Sequence, residues 1–243
     1  MVLQFIFIFF FFVFQSTAQF KQPPVFKDFK LISNYTGDIK QTGLEKVRPE
    51  NKNRTLDAEC APDTVTLLTQ LDIDNFATTY PGCNTFTNIL INGKDADPAI
   101  TNLNGLAQVE EITYRLRVEN TNITTLSGLS GLKKVGIFFD IMNNPELEET
   151  GLTGLESLGV IFFTNLPKLT TLAGLTDNFT NNGTFTLLIN NTNLTDLQGL
   201  EGIHTVPNMY ISGNNNLTSL KGLENLTESG GGISITSNVS LTD

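Results

Sequence analysis

A seven-residue phrase, Leu-Thr-x-Leu-x-Gly-Leu, returns along this chain at a nearly constant interval. Close copies stand at 100–106 (ITNLNGL), 123–129 (ITTLSGL), 169–175 (LTTLAGL), 194–200 (LTDLQGL) and 217–223 (LTSLKGL). A worn copy begins at Leu147 (LEETGL) and a cut-off one at Leu241, so the steps are 23, 24, 22, 25, 23 and 24 residues. A step that steady marks a solenoid, in which each repeat buries its apolar face only by stacking on its neighbours.

Before each copy comes a short apolar alternation: Ile89/Ile91, Leu116/Val118, Phe139/Ile141, Ile161/Phe163, Leu187/Ile189, Met209/Ile211 and Ile233/Ile235. Alternation over three to five residues predicts a short strand with one buried face. Asn-rich turns follow at 120–122, 143–145, 190–192 and 214–216. Asn suits such corners because its side chain bonds local backbone and tolerates left-handed conformations. The phrase itself then sends two leading apolar residues into the same core, and its Gly lets the backbone bend. A coil this short excludes helical hairpin repeats, which need about 33 residues or more. It fits a parallel β-solenoid or a leucine-rich repeat. Leucine-rich spacing holds well at Val206-x-x-Met209-x-Ile211-x-x-Asn214 and slips elsewhere, as between Val135 and Phe139. Irregular coils without a helical return favour a mainly β parallel β-helix of about six to seven short, leucine-rich-repeat-like coils.

The remainder reads as leader and cap. Residues 1–18 are uncharged, rich in Phe and Ile, and end in Ser16-Thr17-Ala18, which fits a signal peptide cleaved before Gln19. Their apolar core, from Val2 to Phe14, falls short of the ~20 residues a spanning helix needs. The expected product is therefore secreted, with no integral membrane span in the mature chain. Residues 19–59 are polar, contain Pro23-Pro24 and show no apolar period, as a flexible leader would. The domain 60–243 opens with Cys60. Asp63 is expected to cap a short helix carrying Val65, Leu67, Leu68 and Leu71. Pro81-Gly82 turns the chain into Cys83, and two cysteines in a secreted protein suggest a Cys60–Cys83 disulfide across the exposed end of the first coil. Such a loop is worth about 3 kcal/mol on the loop-entropy account.

Charge divides unevenly. Residues 19–59 hold 8 Lys+Arg and 6 Asp+Glu, whereas 60–243 hold 7 and 19, a net of −12. An acidic domain without a basic stripe argues against nucleic acid as a partner.

The opening Cys60…Cys83-Asn84-Thr85-Phe86-Thr87-Asn88-Ile89-Leu90-Ile91 resembles that of a receptor L domain, the ligand-binding module of insulin and epidermal-growth-factor receptors. The segments at 116–129, 139–147 and 187–197 resemble its coils, especially those of stand-alone nematode versions and fungal cell-wall relatives. The likeness covers 60–243. It implies a right-handed β-helix with a disulfide cap and a role in binding rather than catalysis. This sequence shows no Cys-rich module, second L domain or kinase, and no closing Cys after the last coil.

No cofactor or metal is implied, and catalysis finds little support. His204 stands without a nucleophile motif, Asp140 and Arg117 lie on adjacent coils without a second acid, and Glu146, Glu148 and Glu149 read as a solvated corner. Ten Asn-x-Ser/Thr sequons predict N-glycosylation of surface loops: Asn34, Asn53, Asn122, Asn178, Asn182, Asn190, Asn193, Asn216, Asn225 and Asn238. If the outer members of each triplet point inward, the middle ones point out. In order these are Leu90, Arg117, Asp140, Phe162, Leu188, Tyr210 and Ser234. Phe162, Leu188 and Tyr210 would form a contiguous apolar patch, either open as an interaction site or covered by the leader or the 176–183 loop. The expected function is an extracellular recognition module that binds a protein or peptide partner. A structural cell-wall or coat protein is the alternative, and a polysaccharide-acting β-helix enzyme the third reading.

Overall fold

The computed structural model describes Cys60, residues 62–179 and residues 186–242, all within the unit Arg54–Asp243. The expected signal peptide and leader, and the sequons at Asn34, Asn53 and Asn182, lie outside the described residues.

The chain forms a β-solenoid of about seven turns. It begins with strand β1 (Thr64–Leu67), followed by two short helices, α1 (Gln70–Asp74) and α2 (Phe76–Thr79). Long strands then recur once per coil: β2 (Thr85–Asn92), β3 (Glu111–Glu119), β4 (Lys134–Met142), β5 (Ser157–Leu166) and β6 (Leu187–Thr192). The final coils contribute β7 (Thr205–Val206), β8 (Met209–Ser212), β9 (Glu228–Ser229) and β10 (Ile233–Thr236). Eight of these strands make one sheet in the order β1-β2-β3-β4-β5-β6-β8-β10, and every pairing in it is parallel. β7 and β9 pair on another side of the coil.

One expectation fails at the start. The segment after Asp63 is strand, not helix: Val65 and Leu67 are buried alternately and pair with Ile89 and Ile91 of β2. Two Thr residues in a four-residue run favour the pleated state, and parallel pairing with β2 outweighs any capping by Asp63. The helix starts later, where Thr69 and Asp72 form a reciprocal capping box. α1 and α2 bury Ile73 and Phe76, while Leu68 and Leu71 stay exposed. Phe76, Tyr80 and Phe86 pack as an aromatic cluster at this end of the stack, Phe76 tilted against the other two rings and Tyr80 edge to face with Phe86. The Cys60–Cys83 disulfide closes beside it, with a Cα–Cα separation of 5.3 Å.

The core is a pile of identical rungs. The inward residues of each triplet are fully buried from Ile89/Ile91 to Met209/Ile211. The apolar residues of the repeated phrase are buried in the same core, such as Ile123, Leu126 and Leu129 in one coil and Leu194, Leu197 and Leu200 in another. Each buried aliphatic side chain contributes about 1.5–3 kcal/mol relative to exposure. At the last coil Leu220, Leu223, Leu226 and Ile235 are only partly buried, and Ile233 is exposed.

The corners are built by Asn, as the turn composition predicts. Asn120, Asn143, Asn165 and Asn191 all adopt left-handed backbone, with φ between 54° and 57°. Their amides chain together: Asn120 donates to Asn92, Asn165 to Asn143 and Asn191 to Asn165, at 2.9–3.0 Å. Among the described residues, no helix is long and apolar enough to cross a membrane.

Candidate functional site

The strands place the middle residues of the triplets in one row. Leu90, Arg117, Asp140, Phe162, Leu188, Tyr210 and Ser234 are consecutive partners across the parallel sheet. From Leu90 to Tyr210 their neighbours along each strand are buried, so pleat alternation turns this row to the outer face. Rungs of a parallel sheet lie roughly 4.8 Å apart, and that spacing brings Phe162, Leu188 and Tyr210 side by side. All three are half-buried. Burial also pushes the Tyr210 phenol above its ordinary value.

Asp140 departs from the expectation of an exposed row, because it is only 5% exposed although it faces outward. Two arginines converge on its Oδ2. Arg117 donates from Nε and Nη2 at 3.4 and 3.2 Å. Arg115 brings its Nε to 3.3 Å, within ion-pair reach but out of line for a hydrogen bond, so that buried nitrogen has no hydrogen-bond partner. Burial raises the Asp140 pKa, opposed by the fields of Arg117 and then Arg115 and by the Arg117 hydrogen bond.

Sequence reasoning names Arg117 and Asp140 but misses Arg115 and Phe138. Those two are partners in a second outward row, Asn88–Arg115–Phe138–Val160. They stand there by alternation, one residue before the inward Leu116 and Phe139; ahead of them β3 and β4 each carry one residue more than their neighbours between two inward positions. Ile112 to Leu116 and Val135 to Phe139 span four steps, whereas Phe86 to Ile89 and Leu158 to Ile161 span three. The slip visible between Val135 and Phe139 is the sequence signature of this bulge, which re-aims side chains as bulges do. The extra length lifts an aromatic shelf: Tyr114 and Phe138 meet edge to face at 5.6 Å, and the Arg115 guanidinium lies 4.4 Å over the Phe138 ring.

The remaining candidates are dispersed. In register Asp140 stands between Arg117 and Phe162, so no second carboxylate flanks it in the row. Glu119, on the next outward row, accepts a hydrogen bond from Asn92 instead. Glu146 pairs with Lys168 in the turns that follow β4 and β5. His204 lies in a return segment, where its backbone carbonyl accepts from Thr227 and Glu228. No group of three or more metal-ligating side chains occurs among the described residues.

No protein-family model, curated protein or solved structure matches the chain. What the outer face can do follows from its own chemistry. It presents an apolar run over β5, β6 and β8 and, one coil away, two guanidinium groups fixed around a single carboxylate.

Proposed function

We propose that this chain is a secreted, glycosylated recognition module of receptor L-domain type that binds a protein or peptide partner through the outer face of its parallel sheet, without catalysing a reaction. The observation that carries the reading is the row of middle residues, held in register on one face, with large apolar side chains on three successive rungs. A flat sheet that gathers half-buried aromatic and aliphatic groups beside fixed arginines has the composition of an interface centre, where aromatic residues and Arg are enriched. Solenoids use such stacked surfaces for extended contacts.

The test is a pull-down with the secreted chain. The wild type and a Phe162→Ser/Tyr210→Ser variant are compared for captured proteins, secreted yield and thermal melt. Capture should fall in the variant while yield and melt hold. A partner that the variant retains at full strength would place recognition elsewhere, and a collapse of yield would assign these side chains to the core.

A further inference from the structure

Residues 60–243 contain two arginines, and both are drawn to one carboxylate on the outer face of the sheet. Around them the domain is acidic, with 7 Lys+Arg against 19 Asp+Glu. The cluster of Arg115, Arg117 and Asp140 carries a formal +1 in a domain of net −12. Asp140 does not exhaust the donors it gathers. A guanidinium has five N–H groups. Asp140 takes hydrogen bonds from Nε and Nη2 of Arg117 and none from Arg115. The two arginine side chains are 19% and 26% exposed, so both reach solvent while their bases are fixed by Asp140 and, for Arg115, by the Phe138 ring. Pre-organised forks of this kind suit a carboxylate, which they bind with paired charge-assisted hydrogen bonds.

We propose that Arg115 and Arg117 form a carboxylate receptor: the outer face takes an extended acidic peptide, one Asp or Glu side chain of which docks on the two guanidinium groups while apolar neighbours pack against Phe162 and Leu188. This rests on the reading of that face as the recognition surface and names the chemistry of its partner. Asp140 is a positioning residue, since it holds the arginines in place and leaves part of their donor set to a ligand. Charge selects the same partner. At physiological ionic strength the general negative field is screened within about 8 Å. The local pair therefore governs contact, and a basic side chain arriving there would meet like charge.

The probes are two sets of N-acetylated, C-amidated octapeptides, centred on Glu-x-Phe-x-Phe or Gln-x-Phe-x-Phe with the other positions randomised, because Phe162 and Leu188 follow the arginines on one side of the row. Alternate residues of an extended peptide share a face, and blocked ends leave the Glu side chain as the fixed carboxylate. The full chain should retain the Glu set about tenfold over the Gln set, the scale of one charge-assisted contact. That preference should vanish in an Arg115→Gln/Arg117→Gln/Asp140→Asn variant, which removes all three charges together and leaves no buried charge unpaired. Equal capture of the two sets, a Glu preference that survives the triple variant, or no capture of either set overturns the carboxylate receptor. Equal capture that still falls in Phe162→Ser would remove the receptor and keep the face as a recognition surface. Equal capture indifferent to Phe162→Ser would remove both.

Discussion

Asn144 accepts two hydrogen bonds from Thr121 on the preceding coil, one from the backbone N–H at 2.9 Å and one from the hydroxyl at 2.8 Å. Its own amide donates to the Val118 carbonyl at 3.0 Å, and the residue is completely buried. The same arrangement recurs where Asn214 receives Thr192 and donates to Ile189. A turn of the solenoid therefore passes its unsatisfied backbone groups to an Asn on the next turn. Replacing Asn144 by Leu strands two donors and one acceptor away from water, each a penalty of about 1–3 kcal/mol before relaxation. Asn144→Leu should lower the unfolding free energy by about 3 kcal/mol, read as a lower urea midpoint at unchanged slope.

Thr150 predicts the opposite sign. The worn copy of the repeated phrase puts Thr150 where the other copies have their second Leu, and it is buried with its hydroxyl unpartnered. Thr150→Val keeps the branched shape and removes the stranded hydroxyl. It should raise stability by about 1 kcal/mol. An unchanged or lower midpoint would mean that the hydroxyl is satisfied in solution.

The glycine of the repeated phrase is required for more than bending. At 151, 174, 199 and 222 it does adopt positive φ. Gly128 does not; it sits in a 3-10 turn (Ser127–Leu129), where a Cβ would lie 2.2 Å from the Leu103 carbonyl carbon of the coil below. The coils stack backbone on backbone there, and neither can yield. Gly128→Ala should cost about 3 kcal/mol. Gly230, whose nearest atom for an added Cβ is the Pro207 Cα at 3.7 Å, should accept Ala within about 0.5 kcal/mol. Equal midpoint shifts for the two variants would contradict the close-approach account.

Those glycines show what the sequence discloses and what it withholds. The period, the inward triplets and the Asn corners are legible because each rests on local chemistry repeated at fixed spacing: alternation for Phe139/Ile141, left-handed tolerance for Asn143. The outward row is legible too, since one strand's pleat decides it. What depends on the neighbouring coil is not. Asp140 is polar and at an outward position, yet its burial follows from Arg115 and Arg117, which fold over it from the neighbouring strand. Val65 and Leu67 belong to a strand because β2 lies beside them, a partner more than twenty residues away.

Asp140 gives a pH signature. Its carboxyl holds a proton more tightly in the folded chain than the ordinary aspartate value of 3.8. Between those two values the folded state binds more protons than the unfolded, so stability contributed by this group is complete below 3.8 and lost as pH rises through the folded value. Asp140→Asn has no such proton. The unfolding free energy of the wild type minus that of Asp140→Asn should therefore decline as pH rises from 3.8. A difference that grows instead would mean that the two arginines outweigh burial and hold the carboxylate ionised.

The sequons divide by what their side-chain nitrogens already do. Asn122 is exposed at a corner, and its backbone N–H is satisfied by the Ile100 carbonyl. Asn238 occupies the same inner ladder as Asn144 and Asn214. Its Nδ2 donates to the Ile211 carbonyl at 3.0 Å, and its Oδ1 accepts from the Asn214 backbone and side chain at 2.9 and 3.3 Å. A glycan on that Nδ2 would need space where the coil below supplies the acceptor, and turning the side chain outward would strand the Asn214 N–H. In protein secreted from a glycosylating host, peptide mapping should find Asn122 carrying glycan and Asn238 bare. The substitution Asn122→Gln should lower the apparent mass by one glycan without moving the melt, whereas Asn238→Gln should leave the mass unchanged and reduce stability, because the longer side chain misplaces both ends of the ladder contact. Occupancy at Asn238 in folded, secreted protein would show that the last corner is open in solution.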